Sequence, residues 1–291
     1  MFIYSTRTLH ARVIYSQMNP ILAKIMSYAN NQGVRIHYEV EGNGPPLVLL
    51  HAHQYWAGLE WFRMLGYVEP LKKKYQLILI DVRGHGASDK PHNPKAYLMK
   101  TLAADIVAVL DQLKVGEAHF LGYSMGGIVG FALAKYAPER FYSMIIGGAH
   151  PYRFTTDEQA LLDSIIQLYK KGKDAYVAEC EKQLPPDMAP SVRATMMAMI
   201  MASDPEAFLA LFLSEYGATS FEEVLPTMKM PCLVYAGEKD PSYSRMKKCA
   251  ESMPNTTFVS LPNLGHLGAW RQSSIILPHI LKFLEKVSQN P

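Results

Sequence analysis

Ser124 lies in the stretch FLGYSMGGIVGF, between Gly122 and Gly126. A strand-like apolar run precedes it and a helical pattern follows. So tight a turn forces its apex residue into a strained backbone conformation, at a cost of about 1–3 kcal/mol. The flanking glycines let the turn close. The hydroxyl then stands at the tip, beside the Met125 N–H and the start of the following helix, which favour approaching negative charge. Such an oxygen suits attack on an electrophilic carbon, but it needs a base, because a free serine hydroxyl is a weak nucleophile. His266, in LPNLGHLGAW, is a candidate base; Asp240 and Glu238, in LVYAGEKDP, are candidates to orient it. The plainer readings are a glycine-rich turn with a capping serine, or a phosphate loop. A phosphate loop calls for Lys after its last glycine, where this chain has Ile128.

Those residues need a frame that delivers all three to one edge. Residues 34–40 alternate in the manner of an edge strand. PLVLLH, QLILID, AHFLGY and FYSMIIGG are short continuous apolar runs, as expected of strands covered on both faces. Amphipathic helical patterns fill residues 59–73, 98–113 and 127–137, the last ended by Pro138. Residues 151–221 carry no strand signal, only helical segments broken at Gly172, Pro185, Pro186, Pro190 and Pro205. Strands return in PCLVYAGEKD and TTFVSLP, before a last helix over residues 274–287. Strands alternating with helices predict an α/β fold, a mainly parallel sheet flanked by helices, with a helical insertion after the fourth buried strand. Ligands in such sheets bind beyond the carboxyl ends of the strands, where Ser124, Asp240 and His266 all fall.

The G-x-S-x-G turn between strand and helix resembles the nucleophile elbow of the α/β-hydrolase superfamily. The capped members of that group include esterases, enol-lactonases, carbon–carbon bond hydrolases and cofactor-free haloperoxidases. The resemblance covers residues 28–287 and implies the chain order serine, acid, histidine. It favours Asp240 over Glu238, because the family places its Asp after the glycine turn. It also implies an oxyanion hole made by the Met125 N–H and a second N–H from the loop after PLVLLH, which puts His53 in that role. Family members usually carry His-Gly there; this chain reads His51-Ala52-His53, and His51 is expected to prop the loop. DVRGHGASDKP resembles a family turn that Asp81, Arg83 and Asp89 are expected to knit together.

The implied activity is that of a serine hydrolase of the carboxylesterase class, cleaving small to medium carboxylic esters through an acyl-enzyme without metal or organic cofactor. Lactonase, perhydrolase and carbon–carbon hydrolase chemistry would use the same three residues. A slow-turnover ligand sensor of this fold is the alternative from another class. Aspartate-dependent dehalogenase or epoxide hydrolase chemistry is disfavoured by the serine at the elbow.

The organisation expected is an N-terminal extension over residues 1–26, a core over 27–150 and 222–291, and a helical cap over 151–221. The extension has Arg7, Arg12 and Lys24 but no acidic residue; it reads as an overlong start, with Met18 and Met26 downstream, or as a targeting segment. The cap's ATMMAMIMA run suggests a pocket roof from Met197 and Met201, and Trp56, Tyr123 and Trp270 flank the catalytic loops as pocket candidates. A net charge of +3 with no basic stripe interleaved with aromatics argues against nucleic acid. No apolar run reaches the ~18 residues a membrane span needs. Three cysteines without metal-like spacing suit a reducing, cytoplasmic setting.

Overall fold

The structure, a computed structural model, describes residues 27–53 and 58–288. Trp56 and the extension over residues 1–26 therefore lie outside the described residues. The chain opens with β1 (Ser27–Asn31), β2 (Val34–Glu41) and β3 (Pro46–Leu50). Helices α1 (Glu60–Met64) and α2 (Val68–Leu71) lead to β4 (Gln76–Ile80). Then α3 (Met99–Gln112), β5 (Ala118–Tyr123), α4 (Met125–Tyr136) and β6 (Phe141–Gly147) alternate. Four helices follow without a strand: α5 (Thr156–Lys170), α6 (Lys173–Lys182), α7 (Pro190–Ala202) and α8 (Pro205–Phe212). The sheet resumes with β7 (Cys232–Gly237), α9 (Tyr243–Glu251) and β8 (Thr256–Leu261), and the chain closes through α10 (His266–Arg271) and α11 (Ser273–Ser288).

The eight strands form one sheet in the order β1-β2-β4-β3-β5-β6-β7-β8. Pairing is antiparallel for β1 with β2 and β2 with β4, and parallel across the rest. The inner strands are apolar along their length because helices cover both faces: Leu47 to Leu50 and Leu77 to Ile80 are all fully buried. In the register Gly122 pairs with Leu50 on one side and with Ile146 on the other. The turn after β5 is thus seated at the middle of the sheet's carboxyl edge.

Three expectations change. Residues 34–41 are the second strand, since β1 covers that edge; its sequence SYANN lacks an apolar alternation and gives little strand signal. The single helix expected over residues 59–73 is two short ones, broken at Leu65 and Gly66. Helix α4 begins at Met125, directly after the serine. In the helical interval Gly172 caps α6 and Pro190 and Pro205 open α7 and α8, as expected; Thr155 with Glu158 adds a capping box for α5 that was not foreseen.

Candidate active site

Ser124 sits between β5 and α4 with φ 52° and ψ −114°, a left-handed-side conformation costly for a residue with a side chain. Its own N–H donates to the Gly147 carbonyl at 2.8 Å, and its carbonyl accepts from Ile128 N–H at 2.9 Å. The turn closes only without side chains at its flanks. A Cβ on Gly122 would lie 2.4 Å from the Gly126 carbonyl oxygen, and one on Gly126 would lie 2.2 Å from that of Leu50. Met125, at the first helical position, has a backbone N–H with no acceptor due from within its helix.

The other two candidates meet the serine. His266 Nε2 is 3.0 Å from Ser124 Oγ, and its Nδ1 is 2.7 Å from Asp240 Oδ2. The Asp240 side chain is only 3% exposed and that of His266 36%, so the carboxylate is shielded while the imidazole faces the opening. Asp240 Oδ1 also accepts from Ser242 N–H at 3.0 Å. Glu238 points elsewhere, accepting from the Ser260 hydroxyl at 2.9 Å. Two backbone bonds zip the acid loop to the histidine loop, Glu238 N–H to Leu261 O at 3.1 Å and Lys239 N–H to Leu264 O at 2.8 Å. Gly237 permits this approach, since a Cβ there would lie 2.2 Å from the Leu264 oxygen.

Tyr123 and Trp270 lie behind His266 rather than on an open surface. Both are fully buried, so neither ring offers surface to a ligand. They stack at 4.7 Å and 18°, Trp270 stacks again on Tyr67 at 5.0 Å, and the Tyr123 hydroxyl donates to the His266 carbonyl at 2.6 Å. This column anchors α10 and so aims His266. Among the methionines of α7, Met196 and Met199 are buried and Met197 is partly buried against the core, whereas Met201 is 64% exposed. The α7 face that packs runs through residues 196, 199 and 200, and Met201 is turned off it.

The loop after β3 is set by three histidines. His51 accepts from Val82 N–H at 3.0 Å through Nε2 and donates from Nδ1 to the Ala52 carbonyl at 2.8 Å. It braces the loop. His53 Nδ1 is 2.9 Å from His85 Nε2, and His53 Nε2 is 2.7 Å from the Tyr169 hydroxyl on α5. Burial lowers the pKa of His51; burial followed by the neighbouring His51 pushes His53 down to about 3; burial, His53 and His51 hold His85 well below the usual range. All three rings are neutral near pH 7. Their nitrogens face one another, a hydroxyl and backbone groups rather than a common point, and among the described residues no His, Cys, Asp or Glu cluster could hold a metal ion.

Of the three residues expected to knit the DVRGHG turn, Asp81 does so, while the side chains of Arg83 and Asp89 tie it to other elements. Asp81 accepts from Leu59 N–H at 2.7 Å, from Ala87 N–H at 2.9 Å and from His37 at 2.8 Å. Arg83 reaches outward to the buried Asp105 at 2.6 Å, and Asp89 reaches Arg35 at 2.8 Å. Sequence reasoning missed three contributors. Tyr169 and His85 bind His53. Glu158, at the start of α5, accepts from the Ser242 hydroxyl, from His150 at 2.8 Å and from Arg245. Burial opposes its charge, yet the hydrogen bonds from Ser242, Thr155 and His150 hold Glu158 at about 2. The sequence around Glu158 gives no sign of these distant partners.

A parallel sheet with a serine-bearing turn after its central strand, and with acid and histidine loops after the next strands, is an α/β-hydrolase by architecture. Known proteins agree. The family model for the alpha/beta hydrolase fold matches residues 45–187. The 3-oxoadipate enol-lactonase 2 of Acinetobacter baylyi is 36% identical over 116 residues, which is 40% of this chain and 42% of that protein's length. A solved hydrolase from Pseudomonas aeruginosa PA01 superposes with a TM-score of 0.75 at 27% identity, covering 90% of this chain and 99% of that one. The enol-lactonase from Burkholderia xenovorans LB400 shares the fold, with a TM-score of 0.74 at 23% identity over 89% of this chain and 100% of the other. The chain belongs to the α/β-hydrolase fold superfamily.

Proposed function

We propose that this protein hydrolyses carboxylic esters of small to medium size through an acyl-enzyme on Ser124. The observation that carries the reading is the continuous line from Ser124 Oγ through His266 to Asp240, with links of 3.0 and 2.7 Å. His266 takes the serine proton as the oxygen adds to the ester carbonyl, and Asp240 keeps Nδ1 protonated and stabilises the imidazolium. The Met125 and His53 N–H groups receive the oxyanion, each such donor worth about 3 kcal/mol or more. His266 returns the proton to the departing alcohol. It then activates the water that frees the acid. No step calls for a metal.

A cyclic ester is cleaved by the same steps, and the 36% identity to an enol-lactonase over 116 residues favours lactones as a second substrate class. The test is a panel of p-nitrophenyl esters, from acetate to palmitate, run beside a lactone and an aryl dienone. Multiple turnover on short esters, abolished in Ser124→Ala, supports the reading. Turnover confined to the lactone would move the assignment to a lactonase. A single slow burst on every compound would favour a sensor.

A further inference from the structure

We propose that Tyr169 and His85 are positioning residues for the oxyanion hole: gripping the His53 ring from both sides, they fix the peptide whose N–H faces the oxyanion. The inference rests on the hydrolase reading of Ser124. A main-chain donor stabilises a transition state only as well as its loop is held in place. Here the loop's own side chain does the holding.

The proton order along the chain is determined. His85 Nδ1 lies 3.2 Å from the Arg83 carbonyl, and a carbonyl can only accept, so Nδ1 carries the proton. His85 Nε2 is then a lone pair and accepts from His53 Nδ1–H at 2.9 Å. His53 Nε2 is in turn a lone pair and accepts the Tyr169 phenol proton at 2.7 Å. One arrangement satisfies every link, and no ring is charged.

Packing restricts the same ring. His53 meets Phe212 edge-on at 4.6 Å and Phe208 at 5.0 Å, and His85 lies against Phe208 at 4.8 Å. Tyr169 stacks on Phe212 at 5.9 Å and 5°, and is itself buried. Tyr169 belongs to α5 and the two phenylalanines to α8. Two helices of the interval between β6 and β7 thus clamp a loop that follows β3. In Tyr169→Phe the shape remains, but His53 Nε2 loses the phenol proton that fixes its tautomer and orientation.

The test uses the full-length protein with p-nitrophenyl acetate, and with an aryl trifluoromethyl ketone whose serine adduct places an oxyanion in the hole. Tyr169→Phe should lower kcat about 10- to 100-fold with KM within about twofold. The inhibition constant of the ketone should rise by the same factor. In a His53→Leu background, where nothing asks for the phenol proton, the added Tyr169→Phe change should cost no more than about twofold. If Tyr169→Phe lowers the melting temperature but leaves kcat and the ketone's inhibition constant within twofold of the parent, the residue is packing and the proposal is wrong. If the unaltered protein neither turns over the ester nor forms the ketone adduct, the hydrolase reading falls and takes this proposal with it.

Discussion

His266 and His53 each have partners at both ring nitrogens, but the partners differ in kind. His266 lies between a buried carboxylate and a hydroxyl, Asp240 at 2.7 Å and Ser124 at 3.0 Å. His53 lies between a neutral imidazole and a phenol, His85 at 2.9 Å and Tyr169 at 2.7 Å. A proton gained by the first ring meets a negative charge that compensates it. A proton gained by the second would be an uncompensated charge among aromatic rings, which is why burial drives His53 to about 3. In the proposed mechanism the same side chain is a base in one loop and a prop in the other. The carboxylate makes the difference.

The largest test of that contrast removes the group that the base serves. Ser124→Ala should lower kcat on esters about a millionfold and leave the melting temperature close to the parent's, read by calorimetry. Asp240→Asn turns the first histidine's surroundings toward those of the second. It should cost about 10⁴-fold in kcat, whereas Glu238→Gln should change kcat by less than about twofold. Gly126 is where the serine turn rests on the start of the loop that carries His53: a Cβ there would lie 2.2 Å from the Leu50 oxygen and 2.9 Å from that of His51. Gly126→Ala should therefore destabilise the fold by about 3 kcal/mol or more, measured by urea unfolding.

The smaller effects are in pH. The histidines His51, His53 and His85 all have lowered pKa values in the fold. In the unfolded chain each binds a proton near pH 6.5. Their contribution is fully present above about pH 6.5, and stability should fall as the pH drops below it, by about 1.4 kcal/mol per unit for each histidine that stays neutral. Urea midpoints from pH 8 to 5 read this slope; a flat profile would mean that the histidine layer opens and protonates freely.

The three candidates Ser124, Asp240 and His266 were legible because each follows a strand pattern in a stretch that carries glycine (Gly122, Gly237 and Gly265), so a place at the carboxyl edge was expected from the alternation of strands and helices. Asp240 could be separated from Glu238 only by resemblance, and the fold gives the physical reason: the carboxylate of Asp240 turns inward beside Ser242 while that of Glu238 is exposed on Ser260. The pocket candidates were less legible. Aromatic residues beside catalytic loops read alike whether they face a ligand or, as Tyr123 and Trp270 do, stack behind the histidine. The Tyr169–His53 contact joins residues 116 positions apart, and no periodicity records such a pairing. Strand β1 was hidden because an edge strand of SYANN owes its form to pairing with β2, not to its own apolar pattern.

The central claim is that Ser124 oxygen is the atom that becomes acylated. Its most direct test is labelling with a fluorophosphonate ester probe, followed by mass spectrometry of the peptides. The account predicts one adduct per chain, carried by Ser124 and lost in Ser124→Ala. An adduct on another residue, or labelling undiminished in that variant, would contradict it.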